Sequence, residues 1–230
     1  MLELKAPRRR GLVAHVEDEL RRALVEGRLE PGTRLVTREL AERLQTSLTP
    51  VREALVKLVA AGALTSEHSQ SFQVPSLTTA EFEELAEIRK AVEGLAAIRA
   101  AEKVTDSAIR ELERLLARYL AARARAEPHL ALKHNKDFRF AVYRQSRMPQ
   151  LLEVIEGLWL KTGPGFNYLF AQNEIGSDGP HNYDDLVDAL RRRDGLAARD
   201  AVERAIDDGT GIILKAMRAH ERKVLSQDHW

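Results

Sequence analysis

Two sets of cations stand out by their spacing. The first surrounds residues 47–57, where Ser47, Leu48, Thr49 and Arg52 crowd the start of a segment with apolar residues at Val51, Leu55, Leu58 and Val59. The 3–4 residue spacing predicts an amphipathic helix. Ser47 stands at its N-cap, Pro50 in its first turn and Gly62 beyond its end. An arginine on the outer face of such a helix matches the two acceptors that guanine presents in the major groove of DNA. Arg38, Arg43 and Lys57 flank it as candidate phosphate contacts.

The second set lies further on. Arg89 falls on a stripe with Leu85, Val92 and Ala96, an unfavourable place for a cation, and Arg139 shares a helical face with Asn135, Val142 and Tyr143. Glu93 lies four residues after Arg89, so an intrahelical ion pair explains it as well as a ligand role does. If both arginines turn inward, they suit a carboxylate or phosphate.

The elements needed to position these residues can be read from the remaining pattern. Residues 12–26 repeat apolar side chains at helical spacing up to Gly27, and Pro31-Gly32 predicts a turn. Thr37 is expected to cap a short helix through Leu44. Leu64–Glu67 and Phe72–Val74 read as strands around a turn at His68–Ser71. Pro75-Ser76-Leu77-Thr78 reads as a linker between domains at 1–75 and 79–230. Long helices are expected after it: 79–103, 105–126, 128–146, 148–170, 181–193 and 195–225. Thr79 and Thr105 are expected N-caps, Gly163-Pro164-Gly165 should interrupt the fourth helix, and 171–180 forms a polar loop. The fold class is therefore mainly α: a winged helix-turn-helix with a small β-hairpin wing, followed by an all-helical bundle.

Composition agrees. The 230 residues contain 13 glycines and 8 prolines, too few for a loop-rich β architecture, and no cysteine, which excludes disulfides and thiolate chemistry. Net charge is +1, but residues 1–78 hold twelve Lys/Arg against ten Asp/Glu while the rest is slightly acidic. No apolar run approaches a membrane span, no signal-peptide core follows the basic start, and the expected setting is the cytoplasm. Walker, Rossmann, Gly-x-Ser-x-Gly and HExxH patterns are absent, so nothing points to an enzyme.

The stretch EGRLEPGTRLVTRELAERLQTSLTPVREALVKLVAAGAL resembles the GntR family of bacterial transcription regulators. EIRKAVEGLAAIRAAEKVT, NKDFRFAVYRQSRMPQLLEVIEGLW and LVDALRRRDGLAARDAVERA resemble helices of the FCD effector domain of its FadR-type members. That resemblance implies a homodimeric regulator, a repressor by analogy, which binds a palindromic DNA operator and responds to a small molecule. DNA contacts then fall to Arg38, Ser47, Leu48, Thr49, Arg52 and Lys57, with His68 and Ser69 at the wing tip reaching the minor groove. The family usually carries arginine where this chain has Leu48, so a polar contact gives way to apolar contact with a thymine methyl. Its usual wing-tip glycine is also missing here.

Many FCD domains hold a metal through a carboxylate and three histidines. This chain has Asn135, Arg139, Tyr183 and Ala205 at those positions. Arginine repels a cation and alanine offers no donor, so the expectation is no metal cofactor and an anionic effector near Arg89, Asn135, Arg139 and Tyr183. Ala205 and Gly209 leave room beside them. Trp159 and Phe166 read as core residues. A different metal site among His134, His181 and His220, with His181 and Asp185 at i,i+4, remains open, as does a helical scaffold that binds only protein.

Overall fold

The computed structural model describes residues 10–67, 71–169 and 182–227. The wing-tip residues His68 and Ser69, the loop expected at 171–180, and His181 lie outside these. Helix α1 (Arg10–Val25) leads to strand β1 (Arg34–Leu35), α2 (Thr37–Arg43), α3 (Leu48–Ala60) and strands β2 (Thr65–Glu67) and β3 (Ser71–Gln73). The left-handed Gly27 (φ +67°) follows α1, and Gly62 (φ +68°) follows α3, both as the sequence predicts. Leu20, Leu24, Val51, Leu55, Leu58 and Phe72 form a buried core beneath the helices.

Three local expectations need correction. The wing is not a lone hairpin: β3 lies between β2 and β1, with Leu35 opposite Phe72, making a three-stranded antiparallel sheet. Two residues after the Pro31-Gly32 turn are too few to show a period-2 pattern. The N-cap of α2 is Val36, with Thr37 already inside the helix. Likewise, Thr78 rather than Thr79 caps the next helix. Its hydroxyl accepts from the Glu81 amide and the Glu81 carboxylate returns to the Thr78 amide, a complete capping box.

The helical bundle comprises α4 (Thr79–Lys103), α5 (Asp106–Ala124), α6 (Pro128–Gln145), α7 (Pro149–Thr162), α8 (Asn182–Arg191) and α9 (Gly195–Gln227). Thr105 caps α5 as expected, accepting from the Ala108 amide. Gly163-Pro164-Gly165 ends α7 and opens a 3-10 helix over Gly163–Leu169. Helix α4 packs along α9 and also meets α6, α7 and α8, so it runs through the middle of the bundle.

The 3-10 helix joins the two parts of the chain. A Cβ on Gly163 would stand 2.7 Å from the Leu24 carbonyl oxygen and 2.9 Å from the Val25 Cα, so only glycine lets α1 approach this closely. Two residues on, a Cβ on Gly165 would meet the buried Phe82 ring of α4 at 2.8 Å. The Asn167 amide donates to the Pro164 carbonyl (2.9 Å) and holds the turn in shape.

Candidate functional site

Helix α3 presents two unlike faces. Pro50, Val51, Ala54, Leu55 and Leu58 are buried against the core, while Leu48, Thr49, Arg52, Glu53, Val56 and Lys57 line an open groove on the other side. Ser47 stands at the N-cap and its side chain makes no capping bond. Of the predicted contact residues, Leu48, Thr49, Arg52 and Lys57 therefore share one open surface.

The flanking cations are less independent than their spacing suggests. The Lys57 ammonium lies 3.2 Å from the Glu17 carboxylate of α1, which also accepts from Arg21 at 3.0 Å. Burial raises the Glu17 pKa, but the hydrogen bonds and charges of Arg21 and Lys57 outweigh it and hold the carboxyl below its usual range. Arg38 pairs with Glu42 one turn on at 3.3 Å, and both are well exposed.

The second set forms a buried cluster centred on Glu93. That carboxylate is fully buried and accepts four hydrogen bonds. On Oε1 it takes Arg89 Nε (2.7 Å) and Trp159 Nε1 (3.0 Å); on Oε2 it takes Arg139 Nη2 (2.6 Å) and the Tyr143 hydroxyl. The intrahelical pair expected for Arg89 is present, and Arg139 reaches the same carboxylate from α6. Arg89 also lies over the rings of Trp159 (5.0 Å) and Phe166 (5.4 Å), a cation–π arrangement. Both aromatics are buried in the core, as expected, and there they also border the cluster.

Arg139 extends the network outward. Its Nε donates to the Tyr143 hydroxyl (2.5 Å) and its Nη1 to the Tyr183 hydroxyl (3.3 Å), which donates to Asn135 Oδ1 (2.6 Å). Arg89, Asn135, Arg139 and Tyr183 therefore belong to one connected network drawn from α4, α6 and α8. Tyr183 also packs on Phe138 and Tyr119, with ring centroids at 4.9 and 5.5 Å.

Charge follows from these contacts. Burial pushes the Glu93 pKa up, but the facing charges of Arg89 and Arg139, with the Tyr143 and Arg89 hydrogen bonds, pull it down to about 2. Burial pushes the Tyr143 phenol well above its ordinary value, against the charge of Arg139, so it stays neutral. Two guanidinium groups thus share one carboxylate, so among the described residues the cluster carries one positive charge more than its carboxylate balances. An unbalanced charge in such surroundings is costly.

A divalent cation does not fit the corresponding positions. Arg139 fills the middle of the network with a permanent positive charge, and Ala205 has no ligating atom. Among the described residues no three His, Asp or Glu side chains gather where they could hold a metal. His134, one of the alternative ligands, has a buried Nδ1 3.9 Å from Asp137, and burial lowers its pKa.

The inward stripe expected for Arg89 is present, with Arg89 and Ala96 buried and Leu85 and Val92 partly so, but the sequence pointed to Glu93 only as a partner for Arg89. The buried row of α4 is Phe82, Ala86, Arg89, Glu93, Ala97 and Ala100. Two opposite charges one turn apart in a row of alanines were the available signal.

A winged helix-turn-helix joined to a helical bundle with a buried polar cluster defines a DNA-binding transcription regulator with a separate helical domain. The bacterial regulatory proteins of the gntR family match residues 12–74, and the FCD domain matches residues 84–208. The chain is 36% identical over 204 residues to the HTH-type transcriptional regulator McbR of Escherichia coli (strain K12), covering 88% of this chain and 92% of that one. It is 28% identical to the HTH-type transcriptional repressor RspR of the same strain, over 86% of each chain. The solved structure of E. coli McbR/YncC superposes with a TM-score of 0.83 at 35% identity, covering 89% of this chain and 97% of that chain. This chain belongs to the GntR family of transcription regulators, in the branch that carries an FCD domain, and that family consists of regulators rather than enzymes.

Proposed function

We propose that this chain is a homodimeric repressor of the cytoplasm that binds a two-fold symmetric operator and releases it when an anionic metabolite occupies the helical domain. The outer face of α3 carries the DNA half of this reading. Arg52 reads a base edge, Leu48 and Thr49 contact bases beside it, and Ser47, Arg38 and Lys57 engage the backbone. Glu17 must share or release Lys57 when DNA binds, so that lysine contributes less than a free one. No helix among the described residues is long and apolar enough to cross a membrane.

Dimerisation follows from the geometry of recognition, because one helix reads too few base pairs for gene-level specificity and a palindrome demands a two-fold protein. Light scattering of the free protein should give about twice the 25.9 kDa chain mass, and a monomer both free and on DNA would defeat this.

The excess charge of the cluster supports the effector half. A ligand carrying one carboxylate or phosphate would balance it, approaching past the half-buried Tyr183 and Asn135 toward the buried Arg139. The same charge is the reason no metal cofactor is proposed. Release of DNA requires the anion to bind the DNA-free arrangement more tightly than the bound one. A thermal-shift panel of small carboxylates and phosphate esters tests this. A ligand at about 100 times its dissociation constant should add about 2.7 kcal/mol of stability. Tyr183→Phe should blunt that gain, and a panel in which neutral analogues stabilise equally well would remove the anion from the account.

A further inference from the structure

The groove on α3 contains two exposed aliphatic residues, Leu48 and Val56. Leu48 is 54% exposed and Val56 is 52% exposed, although most large aliphatic residues among the described ones are packed away. Scattered exposed aliphatics need no explanation, but these two are not scattered. Leu48, Arg52 and Val56 are spaced four residues apart, which puts them in one row along the helix, about 12 Å from end to end. Arg52 is at its centre. Thr49, Glu53 and Lys57 line the same groove beside the row.

The only apolar group that base edges offer in the major groove is the C5-methyl of thymine. A row of apolar, guanidinium and apolar side chains is the complement of a guanine flanked by methyls. Val56 is also β-branched, so its rotamer is already restricted in the helix and little freedom is lost on contact. We infer that Val56 is a base-reading residue too, so that it and Leu48 each pack on a thymine methyl to either side of the base held by Arg52. This rests on the DNA-binding reading above and extends it two turns along the helix, to Val56.

The test uses the full-length protein and an operator obtained by selection from random DNA. Each thymine is replaced in turn by deoxyuridine, which removes only the methyl. At two thymines in each half-site the wild-type protein should bind about three- to fourfold more weakly, the effect of exposing one methyl. Leu48→Ala should abolish the loss at one of these positions and Val56→Ala at the other. Both side chains are exposed, so neither variant should alter the melting temperature. If a selected operator binds well but no deoxyuridine weakens it, the inference falls while DNA binding stands. It falls equally if the losses persist unchanged in both variants. If no operator can be selected, the DNA-binding reading fails and takes this inference with it.

Discussion

Glu93→Ala should lower the melting temperature by about 10–20 °C. Removing one partner of a buried ion pair costs about 3–5 kcal/mol, because the surviving charge is left without compensation. Here the loss leaves two guanidinium groups, an indole N–H and a phenol without their acceptor, so the upper end of that range applies. In a chain of this length each kcal/mol moves the midpoint by about 2–4 °C. Glu93→Gln keeps the shape and an acceptor but not the charge, and it should fall between. A melting temperature for Glu93→Ala within a few degrees of wild type would mean that the carboxylate does not organise the bundle.

The same group makes a pH prediction. Glu93 titrates at about 2 in the folded protein against 4.5 as an ordinary carboxyl. Its contribution, about 3 kcal/mol, is therefore complete above about pH 4.5 and disappears as the pH falls toward 2. Wild type should lose stability through that window and Glu93→Gln should lose correspondingly less, as denaturant melts at a series of pH values would show.

Arg52→Ala is the second large effect. Loss of a bidentate contact to guanine costs about 1–3 kcal/mol, and a dimer pays it at both half-sites, so operator affinity should fall by about thirtyfold or more. Sequence preference should relax at the same time, because the remaining contacts are mostly to phosphate. Lys57→Ala should behave differently. It should weaken binding to all sequences modestly, since Glu17 already holds that ammonium at 3.2 Å, and should reduce the salt dependence of binding. Fluorescence anisotropy at matched salt, with operator and scrambled DNA, separates the two patterns.

How much of this was legible from the sequence depended on the range of each interaction. Gly27, Gly62, Thr105 and the Gly-Pro-Gly interruption are local signals, and the structure has each where the residues predict it. Cap positions one residue apart were not separable: Thr78 and Thr79 are both competent caps, and the capping box with Glu81 decides between them. Strand β1 was invisible because its two residues pair with β3 nearly forty positions away. The cluster shows the same divide. The Arg89–Glu93 pair lies within one turn of helix, whereas the bond from Arg139 to Glu93 spans 46 residues and depends on α6 packing against α4. The excess charge of the cluster could be counted only once both arginines were seen to share one carboxylate.

The central claim is that α3 reads a specific DNA sequence on behalf of a two-fold regulator. Selection of binding sites from random DNA by the purified full-length protein, at physiological salt, tests this most directly. The account predicts enrichment of a palindrome with a guanine at matching positions of both half-sites, and loss of that guanine from the motif selected by Arg52→Ala. Recovery of sequences no different from the starting pool, or an identical motif from Arg52→Ala, would contradict it.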